Sequence, residues 1–112
     1  MIEIKPGVSL RGLSPEIVLA AIIAHGVYQD LRETPKLKPK LTITCCTDGT
    51  HGRKSLHYTG YAIDIRTRDL PRDISPVHVA LKLRHALGAE FDVVEENDHI
   101  HIEYQPKAPI QT

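Results

Sequence analysis

Four residues in two short stretches have the side chains best suited to chemistry. "SLHYTGYAID" (Ser55 to Asp64) places His57 and Asp64 seven positions apart, and "DHIHIEY" (Asp98 to Tyr104) adds His99 and His101. Imidazole and carboxylate are the donor types of a zinc site that uses three protein ligands and keeps a fourth position for water. His57, Asp64 and His101 make such a set. None of the single-helix zinc motifs is present, so the donors must come from separate elements. Strand side chains alternate between faces, so His99 and His101 share one face while Ile100 and Ile102 point the other way, into a core. Taken singly, each histidine also suits an ordinary surface position, and residue types and spacing leave both readings open.

The elements that would position these residues are legible. "LSPEIVLAAIIAHGVYQDLRE" reads as a helix, with Ser14 as N-cap, Pro15 at the first helical position and Glu16 at the positive end. Ile17, Ala20, Ala21, Ala24, Val27, Tyr28 and Leu31 recur at helical spacing, and Gly26 is a weak point among them. Pro35 and Pro39 enforce a connector, and "KLTITCCT" (Lys40 to Thr47) is a β-branched strand. "DGTHGRKS" (Asp48 to Ser55) is a polar loop, and "GYAIDIRT" (Gly60 to Thr67) alternates as a strand. "SPVHVALKLRHALG" is a second helix, capped by Ser75 and stopped by Gly88. "EFDVVEENDHIHIEY" is two strands joined by a tight turn at Glu96–Asp98. The expected fold class is α+β: a small, mainly antiparallel sheet flanked by two main helices.

Composition narrows the function classes. The 112 residues suit a single domain, 1–112, and 14 basic residues balance 14 acidic ones, which argues against nucleic acid held by a basic field. No apolar run reaches the roughly 18 residues of a membrane span, so no membrane insertion is expected. The opening "MIEIKPGVSL" has no apolar signal core, so a protein made in the cytoplasm without a signal peptide is expected. Cys45 and Cys46 are adjacent, cannot close a relaxed disulfide, and are expected as reduced strand residues with one facing inward.

The two stretches also carry a resemblance. "SLHYTGYAID" resembles the S-x-H-x-x-G-x-A-x-D motif of the zinc D-Ala-D-Ala carboxypeptidases and L-alanyl-D-glutamate endopeptidases, and "DHIHIEY" resembles their second motif. The same zinc fold underlies the hedgehog signalling domain, and "DGTHGRKSLHYTGYAIDIRT" and "FDVVEENDHIHIE" are similar to its two site segments. The resemblance implies a hedgehog/DD-peptidase-like fold and one zinc per chain on His57, Asp64 and His101. It implies a zinc metallopeptidase that hydrolyses peptidoglycan stem peptides at or near D-amino acids. The alternative is a catalytically silent zinc-containing binding module of the same fold.

Carried over position by position, the resemblance makes Asp98 the general base. Glu95 is its rival, because hedgehog-like members place a glutamate in the turn region, and Glu96 is a further one. Turn length separates the two glutamates. A three-residue turn puts Glu95 on the zinc face, and a two-residue turn at Asn97–Asp98 puts Glu96 there. His51 would assist the zinc-bound water or the oxyanion. Ser55, His99 and Arg53 would line the substrate cleft, and Gly60 and Ala62 match positions where backbones approach closely. The arginine that many of the peptidases carry after the preceding strand is replaced by "CCTDG", leaving its role to His51 or Arg66. Of the hedgehog calcium cluster only Asp48 is matched. The small size suggests a phage-type, endolysin-like monomer acting on the bacterial cell wall.

Overall fold

The computed structural model describes residues 2–32, 38–46 and 60–106. Its elements run β1 (Ile2–Ile4), α1 (Pro15–Gln29), β2 (Leu41–Cys45), β3 (Ala62–Arg66), α2 (Pro76–Leu87), β4 (Phe91–Glu95) and β5 (His99–Tyr104). The five strands form one sheet in the order β1-β2-β3-β5-β4. β1 joins β2 in parallel, and the other three pairings are antiparallel. The sheet is therefore mixed, where a mainly antiparallel one was expected. The source of the difference is Ile2–Ile4, three residues too few to show a period of their own. They pair with the apolar end of β2 across a crossover that contains α1.

Local chemistry sets both helix starts. The Ser14 hydroxyl accepts from the Ile17 N–H at 3.2 Å, and the Ser75 hydroxyl accepts from the Val77 N–H at 3.2 Å. Each serine is followed by proline at the first helical position, where a missing N–H costs nothing. α2 ends at Gly88, whose φ of 89° is a left-handed value that glycine adopts without strain. The helices pack on each other, α2 also packs on β4, and α1 touches β5. The Arg84 guanidinium donates twice to the Val93 carbonyl, at 3.0 and 2.8 Å, and so ties α2 to β4.

The core lies between the helices and one face of the sheet. Ile17, Ala20, Ala24 and Tyr28 of α1 and Val79 and Leu83 of α2 meet Ile63, Ile65, Ile100 and Ile102, all essentially without exposure. Burying each isoleucine side chain contributes roughly 1.5–3 kcal/mol. Val27 and Leu31, expected among the α1 core residues, are only half-buried at its edge. Cys46 faces inward and is buried, and Cys45 is half-buried at the end of β2, so one of the pair faces inward as expected, although Cys46 lies just past the strand.

Gly60 shows the expected close approach. Its φ is +78°, and a Cβ there would fall 2.1 Å from the Gly12 carbonyl oxygen. Its own carbonyl accepts from the Ser14 N–H at 3.0 Å, so the turn before β3 is braced on the start of α1. Gly60→Ala should destabilise the fold by roughly 2 kcal/mol or more, through backbone strain plus the clash. Gly26 is helical with nothing within 4 Å of an added Cβ, so Gly26→Ala should stabilise by roughly 0.5–1 kcal/mol. Urea unfolding of both variants checks the pair, and equal effects would show that the Gly12–Gly60 approach is not constrained.

Candidate functional site

The register of β3 on β5 builds the site. Ile63 pairs with Ile102 and Ile65 with Ile100, on the helix-facing side. With a strand period of two, the residues between them must face the other way. Asp64 therefore lies opposite His101, and Arg66 opposite His99. β2 approaches from the other edge of β3, and a break in register after Ile43 brings Cys45 opposite Asp64.

The side chains on this polar face are closely knit. Asp64 Oδ1 lies 2.8 Å from His101 Nδ1, and Glu103 Oε1 lies 3.0 Å from His101 Nε2. His99 Nε2 contacts Glu96 Oε2 at 2.9 Å, and His99 Nδ1 contacts Asp98 Oδ1 at 2.7 Å. The second Asp64 oxygen is 3.9 Å from His99 Nε2. Four carboxylates thus surround two imidazoles. A carboxylate can only accept, so the His101 ring, which meets one through each nitrogen, is suited to the doubly protonated form. His101 is accordingly held above the ordinary imidazole value, first by the hydrogen bond to Asp64, while burial works in the opposite direction. The Asp98 carboxyl is held below its ordinary value, first by its hydrogen bond with His99.

The hairpin turn decides which glutamate joins the histidines. Glu95 pairs with Ile100, and the Glu96 N–H donates to the His99 carbonyl at 2.8 Å. The turn is therefore the two-residue one, Asn97–Asp98, in place of the Glu96–Asp98 turn expected. Glu96 comes onto the histidine face, and Glu95 falls on the opposite side. Asp98 sits at the tip with its side chain 90% exposed and its oxygen on His99. Arg66 is turned to Asp69, with Nε and Nη2 at 2.6 and 3.1 Å from its two carboxylate oxygens.

Of the expected site residues, the sheet brings together Asp64, His99 and His101, with Asp98 at the rim. His57, His51, Ser55 and Arg53 lie outside the described residues. Glu103 is the member that sequence reasoning missed, and Glu96, named there for the case of a two-residue turn, is the glutamate that the observed turn brings in. Glu103 could have been found by extending the alternation of "HIHIE" one step further, since it shares the face of His99 and His101. Glu96 required the turn length.

Comparison with known proteins decides the family. The profile of the hedgehog amino-terminal signalling domain matches residues 23–104, more than half of the chain. This chain belongs to the hedgehog amino-terminal signalling domain family. It is 34% identical over 71 residues to the Indian hedgehog protein of Gallus gallus and to that of Xenopus laevis, covering 63% of this chain and 17% of each relative. It is 33% identical over 67 residues to the Indian hedgehog B protein of Danio rerio, covering 60% of this chain and 16% of that protein. The chain thus spans about a sixth of the length of these hedgehog relatives. No solved structure gives a significant match.

The hedgehog match corrects the functional expectations. The assignment to the D-Ala-D-Ala carboxypeptidase and L-alanyl-D-glutamate endopeptidase family is overturned, and with it the zinc metallopeptidase activity. Peptidoglycan stem peptides as partner, the endolysin-like phage origin, and a cytoplasmic enzyme acting on the bacterial cell wall fall for the same reason. The alternative, a catalytically silent zinc-containing binding module of the same fold, gives way likewise to the signalling-domain match. The reason is physical: the two motifs fix which residues face the polar side of paired strands, and that placement alone does not make a peptidase. No catalytic role is carried forward for Asp98, Glu95 or His51, and no substrate role for Ser55, His99 or Arg53. Asp98 is accounted for as a turn residue held by His99.

The Asp64 contact predicts how His101 titrates in the absence of any metal. A raised His101 value means that folding favours the imidazolium. That contribution to stability is full below the ordinary histidine value and fades as pH rises through the raised one. Asp64→Asn should return the His101 ring-proton titration, followed by NMR, towards the ordinary value. An unshifted titration would show that Asp64 does not set it.

Proposed function

We propose that this chain is the signalling unit of a hedgehog-type protein and works by docking a receptor protein on the polar face of its sheet. The observation that carries this reading is the family match, which spans β2 to β5 and α2 and so contains every described residue of the site. The fold supports it. The helices bury one face of the sheet, and among the described residues no helix covers the other. Val94, at 45% exposure, and Glu96 extend that open face beyond the histidines. Signalling by a protein ligand needs such a rigid, chemically distinctive surface.

A zinc site belongs to the proposal. Among the described residues no group of three His, Cys, Asp or Glu could hold a metal ion, and the third donor in this proposal is His57, which lies outside them. The two donors in view fit zinc in type and disposition. Asp64 and the Nδ1 of His101 face each other, and the far ring nitrogen of His101 meets Glu103. Zinc-binding histidines ordinarily donate their second N–H to such a carboxylate, which orients the ring. Asp64, His101 and His57 would hold the ion, and bound there it would link β3, β5 and the segment that carries His57.

Purified protein should contain about one zinc per chain, and Asp64→Asn or His101→Ala should abolish stoichiometric metal. Full retention in both variants would overturn the ligand assignment. Glu103→Gln should keep the metal but weaken it by roughly 10- to 100-fold. Cells that respond to the Indian hedgehog protein of Gallus gallus should respond to the purified chain, or have that response blocked by it. A folded chain that does neither would overturn the signalling reading.

A further inference from the structure

Beyond the histidines, the same side of the sheet ends in a cleft of about 540 Å³ where the β4–β5 turn closes over the ends of β2 and β3. Lys5, Thr44, Thr67, Arg68 and Asn97 line it, with Arg66, Asp98 and His99 along its wall. The Thr67 N–H donates to the Asp98 carbonyl at 3.1 Å, so the end of β3 is fastened to the turn and the cleft is held in shape.

The charges in this cleft do not cancel. Arg66 is matched by Asp69, which takes two of its donors. Asp98, the one acid of the lining, accepts a hydrogen bond from His99 at 2.7 Å. Lys5 and Arg68 remain, and among the described residues neither side chain makes an ion pair or hydrogen bond. The neutral groups between them can all donate: the hydroxyls of Thr44 and Thr67 and the amide of Asn97. Cations and donors facing one small space are the pattern that receives an oxyanion.

Two features favour a carboxylate on a polypeptide over an extended polyanion. The chain has 14 acidic and 14 basic residues, so it offers no long-range field to gather a polymer of like charge. Asp98 also stands at the rim, 90% exposed, where it would repel a continuous run of negative charge but not a single group seated inside. We propose that this cleft receives an acidic side chain, Asp or Glu, of the protein partner. This rests on the signalling reading for the existence of that partner, and it adds the chemistry the partner must offer.

The test is an NMR titration of the full, isotope-labelled chain with the peptide acetyl-Gly-Glu-Asp-Glu-Gly-amide. Its amide counterpart, acetyl-Gly-Gln-Asn-Gln-Gly-amide, and sodium sulfate are the comparison arms. The acidic peptide should give saturable shifts at the Thr67, Arg68 and Asn97 amides, weakened by added salt. A Lys5→Gln, Arg68→Gln variant with an otherwise preserved spectrum should bind it roughly tenfold or more weakly, from the loss of two charge-assisted contacts. Binding should be the same with and without a metal chelator in the buffer, which separates the cleft from capture by a metal. The proposal is overturned by absent shifts, by equal binding of the amide peptide, or by equal or tighter binding of sulfate. An unaffected double variant, or loss of binding on chelation with the spectrum otherwise preserved, would overturn it too. The titration involves no receptor, so its failure and a failed cell response remain distinct results.

Discussion

The pairing of β3 with β5 is the constraint on which the rest of this structure depends. Ile63 and Ile65 of one strand meet Ile102 and Ile100 of the other, and all four are fully buried against the helices. A slip of one residue would turn those side chains to water and push Asp64, His99 and His101 into the core. Losing four buried isoleucines costs several kcal/mol, on the order of a whole small protein's net stability. The apolar face thus holds the polar face in register, and the contact of Asp64 with His101 is a consequence of hydrophobic packing on the reverse side.

Strand order adds the second condition. β5 lies between β3 and β4, so its histidines have an acid-bearing neighbour on each side. Asp64 comes from β3, Glu96 from the position just after β4, and Glu103 from β5 itself. The crossover through α2 makes this possible, since β4 must travel over the sheet before the hairpin returns β5 to the centre. Arg84 holds that crossover to the sheet through the Val93 carbonyl. The site is therefore assembled by long-range connections, and no single continuous stretch contains it.

The polar face divides into two regions of opposite character. Around the histidines, carboxylates are in excess, which suits holding a cation. At the turn end, with Arg66 paired to Asp69, Lys5 and Arg68 outweigh the single acid Asp98, which suits receiving an anion. A partner that met both would be selected by charge order as well as shape. Like-charge contacts are costly, so such a pattern discriminates among partners more than it adds to affinity.

Much of this protein is legible in the local order of its chain. Ser14–Pro15 and Ser75–Pro76 mark the helix starts, Gly88 marks a stop, and the alternation of "HIHIE" separates a core face from a polar one; these are short-range steric and hydrogen-bonding effects that a sequence carries outright. The motifs around Asp64 and His101 resemble those of the peptidases and of the hedgehog domain alike, and a few residues on two strands cannot by themselves separate the two families. Three features are decided by tertiary structure alone. Ile2–Ile4 becomes a strand only because the edge of β2 is there to pair with it. Glu96 displaces Glu95 from the histidine face because two residues, not three, close the turn. Glu103 becomes the second partner of His101 only once the ring is oriented by Asp64 on another strand. Each depends on what lies opposite a residue, and that is decided by packing between distant segments rather than by the order of neighbours along the chain.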